Sequence, residues 1–441
     1  MKRLRDPISN ERGAALLATL AMITVVLMVG VSILSLGTAE SEVVGHTLDG
    51  SRSFYVAEGG VERAWTWLEQ SAQNDPPSYP VEQDFLAQGL ADGVYDVHIE
   101  RLASPSVWAV EYEVTSTAEV DGVVREIRAI LQHETFAKYM YFADQMENIW
   151  FVTGDSLDGR VHANGFIRTS GSPWFGMKVT TAQDHFIMAD GSEPVFEQGY
   201  ELGVPEIPLP ITSDLIDSFE TLAGDGGLDM GSLSGRRAKY EVELGREGLG
   251  TFSYRSYERS GWSYSWSDWT LVDLSDINGI AWFDERVDLS GVLDGQLTVG
   301  SADDIYIVDD ITYEGSSPTQ GPLPGCDDVL GIASGGNVIV GRTTPNLDDC
   351  VIHAHIMALN ESFTVEGYNE GAPRGDLVLY GGFAQKRQGA VGTFTWGNVI
   401  NHGYSKDYHY DVNLLTNAPP GYPPTGKYNL VLWEEVMTPG A

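Results

Sequence analysis

A chain of 441 residues exceeds what one domain usually holds, and 42% hydrophobic residues with 11 Trp, 20 Tyr and 15 Phe exclude a disordered composition. Fifty Gly and twenty Pro favour a turn-rich β fold over a helical one. A formal net charge of −37 excludes nucleic-acid binding through bulk charge, because contact with phosphate needs cations that this composition does not supply.

The first thirteen residues run against that balance, with Lys2, Arg3, Arg5 and Arg12 facing only Asp6 and Glu11. The acidity of the remainder has three readings: a solvated surface, calcium binding by clustered carboxylates, or adaptation to salt.

Residues 14–37, AALLATLAMITVVLMVGVSILSLG, are 24 positions without a charge, long enough to cross a bilayer as a helix. Twelve of them are Leu, Ile or Val, and together these favour the membrane by roughly 4–7 kcal/mol on an insertion scale. A basic leader precedes the run, and Glu40, Glu42 and Asp49 follow it. Basic flanks stay cytoplasmic, so the C-terminal body is expected outside. A secretory signal peptide has an apolar core of only about 7–15 residues, although Gly37-Thr38-Ala39 has the small-x-small form of a cleavage site. A plain uncleaved anchor and a prepilin leader also fit.

The prepilin reading comes from resemblance. Arg12-Gly13-Ala14-Ala15-Leu16 resembles the start of the PilX-type minor pilin N-terminal family, and Ala57-Glu58-Gly59-Gly60-Val61-Glu62-Arg63-Ala64 resembles the end of that family's helix. The resemblance covers residues 1–70. It implies a leader, 1–13, removed after Gly13 by a prepilin peptidase, leaving Ala14 as a methylated amino terminus. It also implies other pilin subunits and the pilus assembly platform as partners. The expected location is the inner membrane before assembly and the pilus or cell surface afterwards. Major pilins resemble one another in carrying Glu at the fifth mature position. Here that position is Ala18, so no carboxylate there can neutralise a neighbour's amine in hydrocarbon. This departure resembles minor, initiating or tip-located subunits.

The helical pattern predicts one helix over 14–70, with its membrane part at 14–37. Phe54, Ala57, Val61, Trp65 and Leu68 form an apolar stripe, and Pro76-Pro77 stop the helix. Gly45, Gly50, Gly59 and Gly60 weaken it. Residues 90–135 predict a small antiparallel sheet. Tyr95, Val97 and Ile99 lie on one strand, Trp108, Val110, Tyr112 and Val114 on a second, and Ile127, Ala129 and Leu131 on a third, with Asp121-Gly122 as a hairpin turn. The N-terminal fold class is thus α+β and pilin-like.

From 138 to 441 short β-prone runs recur between Gly, Asp and Asn, among them Asn148–Thr153, Gly159–Ala163, Ile280–Phe283, Gln296–Val299, Ile305–Val308 and Val351–Leu359. This predicts a mainly-β domain, an irregular β-helix or solenoid, with a sandwich as the alternative. Ser213 is placed to cap a short helix over Asp214–Leu222. Residues 253–269 gather aromatics, either for a sugar or partner surface or packed against the solenoid. The region 138–436 also resembles an uncharacterised β-rich domain found behind PilX-type N-termini. That resemblance rests on Gly154–Gly165 (GDSLDGRVHANG), Gly381–Lys386 (GGFAQK), Gly403–Tyr408 (GYSKDY) and Pro419–Pro424 (PPGYPP), and it implies no activity.

Phosphate-loop, dinucleotide and hydrolase signatures are absent from the sequence. His353 and His355 share a strand face, as two metal ligands with Asp348 or Asp349, or as ordinary strand histidines. Asp303-Asp304 and Asp309-Asp310 are calcium ligands or turn residues. Cys326 and Cys350 form one disulfide in an exported domain, or remain two thiols.

The expected function is a pilin-like structural subunit displaying a large acidic β domain, with a surface or glycan receptor possible, and not an enzyme. No catalytic, cofactor-binding or metal residue is assigned. The alternative is a membrane-tethered β-helix enzyme acting on polysaccharide.

Overall fold

A computed structural model describes residues 11–72, 80–102, 110–210, 212–231, 237–260, 263–317, 321–395 and 399–436. The expectations on residues 1–10, Pro76, Pro77 and Trp108 lie outside these. The chain divides into two compact units. The first runs to Leu102, resumes over Glu111–Gln132 and takes in the chain from Leu430, while the second holds His133–Asn429.

In the first unit one unbroken helix, α1, spans Glu11–Ala72. Its C-terminal part buries Val56, Ala57, Val61, Ala64 and Leu68, spaced at three and four residues apart from the adjacent first pair. These meet an antiparallel sheet of β1 (Glu82–Leu90), β2 (Gly93–Arg101), β3 (Glu111–Val120) and β4 (Val123–Thr135), with the strand Pro424–Val436 next to β4. Tyr95, Val97, Ile99, Tyr112, Val114, Ile127, Ala129 and Leu131 fill the inner face. Asp121 and Gly122 both take positive φ, +50° and +83°, the turn that matches the twist of two paired strands. Phe54 and Trp65, expected on the buried stripe, flank it half-buried, and Phe54 meets Trp433 edge-on at 5.7 Å.

The glycines that weaken the helix in isolation let it approach the sheet. A Cβ on Gly60 would lie 2.1 Å from Ser116 Oγ and 3.0 Å from both Tyr95 and Val97, and one on Gly59 would lie 2.4 Å from Leu90. Gly60→Val should therefore cost about 2–3 kcal/mol through overpacking. Limited proteolysis of the first unit should accelerate, and an unchanged digestion rate would contradict the close approach.

Two expected boundaries need correction. The three-strand sheet has two further strands: β1, missed because a bulge at Ala87 (φ +50°) breaks its alternation, and the C-terminal strand. The predicted run 138–441 is divided, because residues from Leu430 belong to the first unit. Arg128 ties this last strand in, pairing with Glu434 at 3.0 Å and with Glu113.

The second unit is mainly β, and its strands pair mostly in parallel. One ladder runs, neighbour to neighbour, through Leu228–Asp229, Ile280–Phe283, Gln296–Ser301, Val329–Ser334, Cys350–Ala358, Pro373–Arg387, β5 (Tyr141–Gln145), Val161–Ala163, Val179–Thr181 and Tyr200–Leu202. A second runs through Arg237–Leu244, Val287–Leu293, Ile305–Tyr313, Val338–Val340 and Phe363–Val365. Many of these strands are buried on both faces, which is why they read as continuous apolar runs.

Chain order along the first ladder is informative. The chain enters at β5, in the middle, and proceeds to Tyr200–Leu202 at one end. It reappears at Leu228–Asp229 at the other end and returns, so that Phe383 pairs with Tyr141 at a seam. The repeat is irregular: Val161 pairs with Val179 and Val179 with Tyr200, offsets of 18 and 21, whereas Gln296 pairs with Val329, an offset of 33. The short helix α2 spans Thr212–Gly224, longer than expected, and the Ser213 hydroxyl donates to Asp214 at 3.1 Å. Its Phe219 stacks on the fully buried Trp282, ring centroids 5.7 Å apart.

Candidate functional site

The outer part of α1 has no apolar partner within the described chain. Leu16, Leu17, Val25, Met22 and Val26, which point in turn to every side of the helix at 100° per residue, are each more than half exposed. The hydroxyls of Thr19, Thr24, Ser32, Ser35 and Thr38 donate back to helix carbonyls three or four residues earlier, at 2.8–3.1 Å. Polar groups satisfied within the helix suit a surrounding without water. The helix is long and apolar enough to cross a membrane. Gly13 and Ala14, the expected processing residues, lie in its first turn, and their side chains fall outside the described residues.

The motifs of the second unit converge on the seam. Lys406 donates to Asp155 at 3.1 Å, and Asp155 also accepts the Val152 N–H at 3.0 Å. Asp158 accepts the Tyr410 N–H at 2.6 Å and faces His409 at 3.4 Å. Lys386 pairs with Asp144. Together with Tyr141, Phe383, Gln385 and Tyr408, the Asp155–Lys406 pair lines a cavity of about 20 Å³. That volume holds one water rather than a sugar ring. Burial raises the Tyr141 and Tyr408 hydroxyl pKa values well above the ordinary range. The segments GDSLDGRVHANG, GGFAQK and GYSKDY thus supply residues that close this non-local seam.

His353 and His355 are fully buried within the strand Cys350–Ala358. His353 Nδ1 accepts the Tyr313 N–H at 3.2 Å. His355 donates from Nε2 to the Tyr139 carbonyl at 3.1 Å, and its Nδ1 lies 3.3 Å from the Tyr422 hydroxyl. Burial lowers His353 to about 4 and His355 to about 3. Asp349 accepts the Asp376 N–H at 2.8 Å. Tyr422, from the PPGYPP segment, thus covers the strand that carries His355.

The aspartate pairs perform turn chemistry. Asp303 and Asp309 each accept the following backbone N–H at 2.8 Å, whereas Asp304 accepts from Asn337 at 2.7 Å and Asp310 from Val351 at 2.8 Å, on adjoining strands or turns. The disulfide expected between Cys326 and Cys350 is not formed in this structure. The Cys326 thiol donates to Asp328 at 3.3 Å, and Cys350 is buried in its strand. Burial pushes the Cys326 pKa up to about 12 and Cys350 higher still.

The aromatic segment adopts neither expected arrangement in full. Trp266 and Trp269 stay half-exposed and interleave with cations. Arg255 lies 4.5 Å from both indole rings, Arg246 lies 4.2 Å from Trp269, and Lys239 lies 5.3 Å from Trp266. The cations are held in turn by Glu241, Glu243 and Asp288. This ladder uses the indole faces internally, which makes it a stiffener of the hairpin.

Residues 107–183 match a family described as a domain of unknown function, DUF4900. Comparison with curated proteins gave no match. Among solved structures, the chain is similar to the competence-associated pilin ComZ from Thermus thermophilus, at 11% identity and a TM-score of 0.32, over 88% of this chain and 98% of that one.

Proposed function

We propose that this chain is a membrane-inserted, pilin-like minor subunit of a type IV pilus or related filament, with no catalytic role. One observation carries the reading: within one helix, the C-terminal part is buried against its own sheet while the outer part is apolar on all sides and unpartnered among the described residues. Burying an apolar side chain is worth about 1.5–3 kcal/mol relative to water, so that half requires lipid, other helices, or both in succession. The inner membrane before assembly and neighbouring pilin helices afterwards supply these. Ala18 in place of a carboxylate supports an initiating or tip position over a repeating one. The second unit is then the displayed part, facing a surface or glycan receptor. Its parallel ladders, with unequal offsets such as 18, 21 and 33 residues, support an irregular β-helix.

The test is the intact N-terminal mass of the full chain extracted from membranes of cells with and without a prepilin peptidase. The expected product begins at Ala14, with an added methyl group, only when the peptidase is present. An intact Met1, or a terminus at Glu40, would remove the pilin reading.

A further inference from the structure

We infer that the solvent face of the β1–β2 hairpin is a binding site for a divalent cation of the zinc type, held by His98, Asp84 and Glu82. The register places Asp84 directly opposite His98 and Glu82 directly opposite Glu100. Each same-strand pair is two residues apart, so all four side chains leave the sheet on one face. His98 Nδ1 lies 2.7 Å from Asp84 Oδ1 and 4.0 Å from Glu82 Oε1. One ligand atom from each of the three residues lies within 4.8 Å of the others. Tetrahedral zinc with nitrogen and oxygen ligands at about 2.0–2.2 Å needs those atoms roughly 3.3–3.6 Å apart. The observed separations bracket that value, and the side chains are 43–64% exposed, so rotamer adjustment can close the site.

Charge points the same way. Among the described residues no lysine or arginine pairs with Glu82, Asp84 or Glu100, whereas Glu113, opposite Glu100 on the other side, is neutralised by Arg128. Like charges facing each other across two strands are destabilising, and a divalent ion between them removes that cost. The imidazole sets the class of ion. Calcium and magnesium prefer all-oxygen sites, whereas zinc and its neighbours accept mixed nitrogen and oxygen donors. His98 Nε2 lies 3.9 Å from Glu100 Oε2, where that carboxylate can take the ring's second N–H and orient it. Because β1 is an edge strand, the ion would staple the sheet's open margin.

The experiment is a cobalt(II) titration of the untagged full chain in detergent, followed by visible absorption and zinc competition. One saturable equivalent, displaced by zinc, is expected. His98→Gln and Asp84→Asn should each abolish the saturable phase, and Glu100→Gln should weaken it by about 10–100-fold, with unchanged far-ultraviolet circular dichroism. The chain has nine histidines, so the contrast between variants is decisive. No saturable uptake by the wild-type chain, or uptake unchanged in both His98→Gln and Asp84→Asn, would overturn the site.

Discussion

Lowering the pH from 7.5 to 5.5 should weaken the second unit by on the order of 5 kcal/mol, through four histidines that are neutral when folded. His133, His162 and His353 are each lowered to about 4 and His355 to about 3, with burial the leading cause. His355 meets Tyr139 and Tyr422, His353 meets Tyr313 and Tyr380, His133 stacks on Tyr428, and His162 bonds to Asn164 and Thr180 near Lys138. A depressed histidine pKa means that the unfolded chain takes up protons first. The stability is therefore complete above about pH 6.5 and is lost as pH falls towards the folded value. Over this interval each group contributes about 1.3 kcal/mol.

One group of the second unit acts with the opposite sign. His409 is raised, first by a hydrogen bond to Asp158, so its contribution is fully present below pH 6.5 and fades above it. Glu285, Asp310 and Asp411 are raised by burial and resist acid, but from ordinary values of 3.8 to 4.5, below the interval. The urea midpoint followed by near-ultraviolet circular dichroism should fall between pH 7.5 and 5.5. A midpoint that holds or rises would mean that these imidazoles are not buried neutral.

The sequence carried the long helix almost to its ends because a charge-free run followed by an apolar stripe has only one regular solution. The Asp121-Gly122 hairpin and the strand Ile280–Phe283 were equally legible, the first from turn chemistry and the second from an uninterrupted apolar run. What stayed hidden depends on partners far away in the chain. The strand Pro424–Val436 alternates like any other, and only pairing assigns its end to the first sheet. Gly59 and Gly60 read as helix weaknesses until the sheet beneath them is placed. The candidate cation site was not legible, since Asp84 and His98 are 14 residues apart and become neighbours only through a register that the bulge at Ala87 obscures. In the second unit, Asp155 and Lys406 were both within recognisable segments, yet nothing local says that they meet across the seam.

Gly381→Ala should destabilise the second unit by about 4 kcal/mol or more, among the largest effects a single methyl can have. Gly381 has φ +141°, a region reached almost only by glycine. A Cβ there would lie 2.0 Å from the Ala354 carbonyl oxygen and 2.7 Å from its carbon, both backbone atoms of the paired strand. Relief therefore requires the strands to separate, since no flexible side chain can give way. The position is also where the strand Pro373–Arg387 changes neighbours: Tyr380 still pairs with His409, whereas Phe383 pairs with Tyr141. Two glycines at this point let the backbone leave one partner and take the other, and a Cβ on Gly382 would in turn lie 2.4 Å from the Tyr139 carbonyl oxygen. Gly199→Asn is the control. It too has positive φ, +73°, but nothing lies within 4 Å of its Cβ, so the cost should stay below about 1 kcal/mol, asparagine being tolerant of that conformation. Urea denaturation of both variants checks the contrast. Similar midpoints for Gly381→Ala and the wild-type chain would mean that the seam tolerates strand separation and that its pairing is not what holds the unit closed.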